Sequence, residues 1–346
     1  MKAMVLLGTC ALDKNKNPLE PVNIPDPVPK EKEILVRVSA CGVCHTELDE
    51  IEGRIPPPRF PVVLGHEVVG RVERSGSRAH QFKKGDRVGI GWIYSSCGKC
   101  NYCIEGNENL CEDFQATGRD ANGGYAEYMT IKEDFAFKIP DLFSDSEAAP
   151  FLCAGAIGYR SLRLTELQDG QNLGLTGFGA SAHLVLKMAR YRYPRSKIFV
   201  FARSEKERNF ARELGAIWAG DTEESSPEKI HCIIDTTPVW KPVVEALRNL
   251  EPGGRLVINA IRKEDGDRDY LQKLEYPTHL WLEKEIKSVA NVARQDISGF
   301  LKLASEIPIK PEVQEFRLEE ANKALIELKE GRIRGAKVLI MDSDNC

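Results

Sequence analysis

No run of apolar residues in this 346-residue chain approaches the roughly twenty needed to cross a bilayer as a helix. The best candidate, the amino-terminal MKAMVLLGTCAL, is followed at once by Asp13, Lys14 and Lys16, so it is expected to form a first strand and not a signal peptide. A surplus of positive charge is also missing. Forty-eight Lys and Arg stand against 52 Asp and Glu, and a net charge of −4 supplies no field for gripping phosphate backbones or anionic lipid. Neither nucleic acid nor a membrane is therefore expected as a partner. Internal repeats, low-complexity tracts and flexible linkers are absent too. With 42% hydrophobic and 29% charged residues, the composition is that of a folded globular protein.

What is present is enough chain for two domains, since a single core rarely keeps growing at this length. Ten cysteines occur, and six of them fall into two metal-like groupings. In a long chain that pattern suits a reducing cytoplasm better than a disulfide scaffold. Up to about residue 150 the chain is rich in Pro, Gly and short β-branched runs such as EILVRVSA (Glu33 to Ala40) and EVVGRVERSG (Glu67 to Gly76), the texture of a β-rich domain with long loops. Beyond about residue 153, four short apolar runs alternate with helical patterns: NLGLT from Asn172, KIFVF from Lys197, HCIID from His231 and RLVIN from Arg255. Runs too apolar to alternate and joined by helices indicate parallel strands buried on both faces. Gly253 and Gly254 are expected to turn the chain into the last of them. A helix over Leu318 to Lys329, stopping near Gly331, and a final strand AKVLIM close the pattern.

Cys97, Cys100, Cys103 and Cys111 form C-x2-C-x2-C-x7-C in a loop with several Gly and Asn. Four soft thiolates so closely spaced can close a tetrahedral shell with no room for water, which describes a structural zinc site. An iron–sulfur cluster, two disulfides or free thiols compete with zinc. Ferredoxin runs, however, continue with a shorter last spacing and a proline. A four-cysteine knot could also belong to a zinc ribbon in a nucleic-acid-binding protein, against which the net acidity weighs.

Cys44 and His45 follow Gly42, His66 and Glu67 stand side by side, and AAPFLCAGAIGY carries Cys153 at the start of a helical stretch. Two thiolates and an imidazole would leave a fourth zinc position open for water or substrate. Further on, NLGLTGFGASAHLVLKMA joins a strand to a helix, and Gly177, Gly179 and Ala182 fit G-x-G-x-x-A. Such a turn lets a pyrophosphate approach the backbone while the free N–H groups of the helix face it. At the end of the next strand, where NAD-binding proteins commonly hold the ribose with an acid, stand Ala202, Arg203 and Ser204. Losing the acid removes repulsion of a 2′-phosphate and Arg203 offers it charge-assisted hydrogen bonds, so NADP(H) is favoured over NAD(H).

CGVCHT, GHEVVG, the four-cysteine knot and the glycine-rich turn, in this order over essentially the whole chain, resemble the zinc-dependent alcohol dehydrogenases of the medium-chain dehydrogenase/reductase family. The resemblance implies an α/β fold: a β-rich, GroES-like catalytic domain over residues 1–152, a Rossmann domain with a doubly wound parallel sheet over 153–289, and residues 290–346 completing the catalytic domain. It implies two zinc ions per chain, the catalytic one held by Cys44, His66 and Cys153 with Glu67 as alternate ligand or neighbour. It further implies that His45 lies near the cofactor, that Arg294 in NVARQD reaches the cofactor phosphates, and that Trp92 lines the substrate pocket. Thr46 resembles the family's hydroxyl beside the reacting oxygen. Where many members pass the proton on through a histidine, this chain has Asp49. If the segment after Cys44 is helical, Thr46 and Asp49 share a face at i and i+3, so the carboxylate could still take the proton. Cys10, Cys41, Cys232 and Cys346 are expected to bind nothing.

The expected activity is hydride transfer between a primary or small secondary alcohol and NADP(H), as an alcohol dehydrogenase or aldehyde reductase. An NAD-dependent polyol or sugar dehydrogenase of the same family is the alternative, and a non-catalytic dinucleotide or metal sensor a remote one. A dimer or tetramer in the cytoplasm completes the expectation.

Overall fold

The computed structural model describes residues 1–307, 309–332 and 335–341; Cys346 lies outside them. The chain divides into two compact units, Met1–Cys153 together with Val292–Cys346, and Ala154–Asn291.

In the first unit the β-branched run noted above becomes the long strand Glu33–Val43, which is buried along most of its length. It lies centrally in a seven-stranded sheet and pairs antiparallel with Glu67–Ser75 on one side and Ala336–Ile340 on the other; Tyr128–Lys132 also pairs with it. The register sets Gly42 opposite Glu67 and Cys41 opposite Val68. Cys44, just past the end of one strand, is thereby brought beside His66, just before the start of the other. The amino terminus forms the strand Lys2–Leu6, in a small separate sheet.

Cys153 is placed by packing. It follows a tight 3-10 turn, Ala149–Leu152, whose Phe151 meets Phe143 and Phe300 edge-on at 4.8 and 5.3 Å. Leu152 shares with Ile139 the space left by the missing side chain of Gly89. Near the carboxyl end, the expected helix begins as a 3-10 turn, Leu318–Glu320, and becomes α-helical over Ala321–Lys329.

The second unit is a six-stranded parallel sheet with helices Ala180–Arg192, Glu205–Glu213 and Lys241–Asn249 among its crossovers. Its strands in chain order are Leu173–Thr176, Ile198–Phe201, Trp218–Gly220, Ile230–Asp235, Leu250–Ile258 and Glu285–Ser288. Across the sheet they lie in the order third, second, first, fourth, fifth, sixth, the doubly wound arrangement of a Rossmann fold. Phe199, Phe201, Ile230, Ile233, Val243, Leu247 and Leu256 close the core between sheet and helices. The fold class is thus α/β, as the alternation of apolar runs and helical patterns implies. Two of the six strands carry no clear sequence signal: the third has three residues, and the sixth, Glu-Ile-Lys-Ser, is exposed throughout. The fifth is longer than RLVIN because the chain already pairs at Leu250, then loops outward through Gly253 (φ 71°) before rejoining its neighbour at Arg255. Among the described residues, no helix is long and apolar enough to cross a membrane.

Candidate functional site

Among the described residues two groups of potential metal ligands occur, both in the first unit. In the first, one ligand atom each from Cys44, His66, Glu67 and Cys153 lies within 4.8 Å of every other. The Cys44 and Cys153 sulfurs are 3.9 Å apart, although 109 positions separate them in the chain. A tetrahedral zinc with Zn–S bonds of about 2.3 Å holds its sulfurs about 3.8 Å apart, so the spacing already fits the ion. Their mutual contact holds the Cys44 pKa well below the usual thiol range and, with burial, pushes that of Cys153 well above it.

His66 is 1% exposed, and its Nδ1 lies 2.6 Å from the fully buried Oε1 of Glu47. The contact is an ion-pair approach, since neither Nδ1 nor Oε1 has a hydrogen-bond partner. Nε2 is buried with no hydrogen-bond partner, an orphaned atom that a metal would satisfy. Burial alone would lower the His66 pKa, but Glu47 and Cys44 hold it well above the ordinary value. Glu47 also accepts the backbone N–H of Cys44 at 2.7 Å, so one carboxylate braces two of the four potential ligands. Its signal in the sequence is position alone, three residues after Cys44 in what becomes the helix His45–Ile51.

The other residues singled out in the sequence take varied places. Glu67 is buried, and burial with the Cys44 charge raises its pKa well above the carboxylate range. Thr46 is buried, its hydroxyl 3.6 Å from the Cys44 sulfur. Asp49 is also buried, with one carboxylate oxygen held by the Arg54 guanidinium, which in turn pairs with Glu52. His45 is exposed at the start of the helix. The Trp92 ring packs on Phe114 at 5.3 Å, and its buried Nε1 has no hydrogen-bond partner.

In the second group, Cys97, Cys100, Cys103 and Cys111 likewise lie within 4.8 Å of one another. The Cys97 and Cys103 sulfurs are 3.8 Å apart, and all nine described cysteines are unbridged. Backbone N–H groups of Lys99 and Cys100 point at the Cys97 sulfur from 3.5 and 3.3 Å and bring its pKa down to about 6, favouring the thiolate. Arg294 lies near this loop: its Nε donates to Glu108 at 2.6 Å, and the guanidinium sits over the Phe135 ring. Cys232, by contrast, is buried and donates to the Thr165 carbonyl; burial lifts its pKa to about 11. Cys10 and Cys41 stand outside both groups.

In the second unit, Gly177 follows the first strand with φ 75°, a conformation that excludes most side chains, and a Cβ there would fall 2.9 Å from Thr236 and Thr237. Gly179 caps the helix Ala180–Arg192 and has open space where a side chain would be; Ala182 is fully buried against the sheet. At the end of the second strand Ala202 is buried and Arg203 exposed. The Ser204 hydroxyl caps the next helix, accepting from the Glu207 N–H and donating to its carboxylate. Arg208, which no sequence motif marks, donates to the carbonyls of Ala202 and Arg203 and pairs with Asp221, bracing this loop.

Residues 30–141 match the alcohol dehydrogenase GroES-like domain family. The chain is 43% identical to the "Probable alcohol dehydrogenase AdhA" of Mycobacterium tuberculosis over 329 residues, which covers 94% of this chain and 93% of that one. It is 33% identical to an alcohol dehydrogenase of Geobacillus stearothermophilus, covering 97% and 100%. Among solved structures, an NAD-dependent alcohol dehydrogenase superposes with a TM-score of 0.88 at 24% identity, over 99% of this chain and 100% of the other. At that identity the likeness speaks to the fold.

Gly42 provides a local test of the packing. A Cβ at this position would lie 1.9 Å from Oε2 of Glu67. Gly42→Ala is therefore expected to force Glu67 aside and destabilise the first unit by about 1–3 kcal/mol, read as a lowered urea midpoint. An unchanged midpoint would mean that Glu67 does not occupy that space.

Proposed function

This chain belongs to the zinc-dependent medium-chain alcohol dehydrogenase family, and from that premise we propose that it transfers a hydride between a primary or small secondary alcohol and NADP(H), using zinc held by Cys44, His66 and Cys153. The observation that carries this reading is the convergence of two sulfurs at tetrahedral spacing on a buried imidazole nitrogen without a partner. Zinc held there would supply Lewis acidity toward an alcohol or carbonyl oxygen, and a nicotinamide would supply or accept the hydride.

The chain's own residues do the rest. Glu47, 2.6 Å from Nδ1, orients the His66 ring so that Nε2 can face the ion. Glu67 stands beside the ligands as an alternate donor. Thr46, next to Cys44, offers its hydroxyl to the reacting oxygen and passes on the proton. Asp49, one turn further along the same helix, is the next acceptor, oriented by Arg54. We assign the substrate pocket wall to Trp92, a cofactor contact to His45, and a second, structural zinc to Cys97, Cys100, Cys103 and Cys111. On this reading the first unit is the zinc-bearing catalytic domain, completed by the carboxyl-terminal segment, and the second is the cofactor domain.

Gly177, Gly179 and Ala182 form the dinucleotide turn. Preference for NADP(H) rests on the exposed Arg203 and the lack of a carboxylate at 202–204; the Ser204 hydroxyl is already engaged in capping. Arg294 is assigned a contribution toward the cofactor phosphates through the guanidinium nitrogens not bonded to Glu108. A homo-oligomer is supported by one edge strand of the second unit's sheet, Glu285–Ser288, whose exposed Ile286 follows exposed Trp281 and Leu282 in the chain.

An absorbance assay at the reduced-nicotinamide band, with both cofactors against alcohols, aldehydes and polyols, tests the activity. Turnover confined to polyols would move the reading to a polyol dehydrogenase, and none on any substrate to a silent sensor. Cys44→Ser should abolish turnover with the protein still folded, whereas Cys103→Ser should release one zinc per chain and lower thermal stability. Metal analysis showing no loss from Cys103→Ser would remove the structural zinc. Arg203→Asp should raise the Kd for NADPH by about tenfold, the worth of one charge-assisted contact, with little change for NADH. Equal effects on both would overturn the preference. Light scattering should give the mass of a dimer or tetramer; a monomer would contradict the role given to the sheet edge.

A further inference from the structure

In the second unit a lysine is buried far from any sequence motif. Lys263, in the loop after the fifth strand, has a side chain only 7% exposed. Its ammonium donates to the carboxylate of Asp235 and to the carbonyls of Thr237 at 2.7 Å and Val239 at 3.0 Å, which satisfies all three of its protons. Asp235 is fully buried and ends the fourth strand. Its other oxygen accepts the hydroxyls of Thr176 at 2.5 Å and Thr237 at 2.8 Å.

Thr176 ends the first strand and is the register partner of Asp235, at the place where the strand order reverses. Ligands of doubly wound sheets bind outside the strand ends at that point. The next residue is Gly177, and the nearest atoms to its absent Cβ are those of Thr236 and Thr237, each at 2.9 Å. The Thr236 hydroxyl and N–H both donate to the Thr176 carbonyl, at 2.9 and 3.0 Å. One buried ion pair therefore ties together the segments that follow the first, fourth and fifth strands, and the two threonines it anchors form the floor of the glycine turn.

Stability does not explain such a pair, because well-packed apolar residues often serve as well as a buried salt bridge. Directional bonds do something apolar packing cannot: they fix the height and orientation of the floor. We propose that Lys263 and Asp235 act as a positioning pair for dinucleotide binding, holding Thr236 and Thr237 beneath Gly177 so that the turn and the start of the helix Ala180–Arg192 keep the shape that receives a pyrophosphate. The inference rests on the dinucleotide reading of that turn. It adds two residues that need not touch the cofactor and that no spacing motif marks.

The test is a fluorescence titration of the full-length, zinc-loaded chain with NADPH and NADH, alongside steady-state kinetics. Lys263→Met leaves the Asp235 carboxylate buried without its cation and should raise the dinucleotide Kd and KM by about tenfold or more. At saturating cofactor kcat should stay within about twofold, since the reacting groups are untouched. Lys263→Arg, which keeps the charge, should recover most of the affinity. Thr237→Val, which removes a single hydroxyl and leaves the ion pair, should give a smaller rise of about two- to fivefold, and it keeps the comparison available if Lys263→Met does not fold. Wild-type chain that bound neither dinucleotide would overturn the reading of the turn, and the pair's role with it. Wild-type binding matched by equally tight binding in Thr237→Val and in folded Lys263→Met, whatever their melting temperatures, would overturn the pair's role alone.

Discussion

The pairing of Gly42 with Glu67 across two central strands of the first unit is the constraint on which the candidate metal centre depends. Antiparallel register is discrete, and a slip of one residue would turn every side chain to the opposite face. With Gly42 opposite Glu67, the residue that follows one strand and the residue that precedes the other come together, and these are Cys44 and His66. Glycine at 42 is itself part of the arrangement, because Glu67 lies in the space its side chain would need. The helix that starts at His45 then turns Glu47 back under both Cys44 and His66. A single carboxylate thus serves the backbone of one potential ligand and the ring of another, which leaves few ways for the site to relax.

The two groups of ligands are built on different principles. The four-cysteine knot is local: its residues span a short loop, backbone N–H groups already lower the Cys97 pKa, and the closure entropy of so short a segment is small. The second group draws Cys153 from more than a hundred residues away and relies on Phe151 and Leu152, locked into the core, to deliver it. The first can close within one loop, whereas the second depends on the packing of the whole unit.

The glycine-rich turn of the second unit shows the same division of labour. Gly177 and Gly179 remove side chains where the chain turns from strand into helix, a task of the backbone that short-range pattern announces well. What lies beneath the turn is side-chain chemistry assembled from three strand ends, with a buried charge that is tolerable only because every proton it carries has an acceptor. Arg208 does comparable work under the neighbouring loop, bonding the carbonyls of Ala202 and Arg203 and leaving the Arg203 side chain exposed.

By itself, the sequence determined what depends on neighbours along the chain. The four-cysteine spacing, the glycine-rich turn between strand and helix, and four of the six parallel strands were legible because each is a local pattern of ligand spacing, backbone freedom or apolar runs. The family, too, could be identified from motifs in order. Tertiary structure decided what depends on residues meeting across the fold. It paired His66 with Glu47, placed Asp49 under Arg54 instead of in solvent, set Arg294 on Glu108, and buried Lys263 against Asp235. None of these partners has a characteristic spacing. A carboxylate looks the same in sequence whether it faces water, a guanidinium or an imidazole, and only the packing of segments distant along the chain selects among the three.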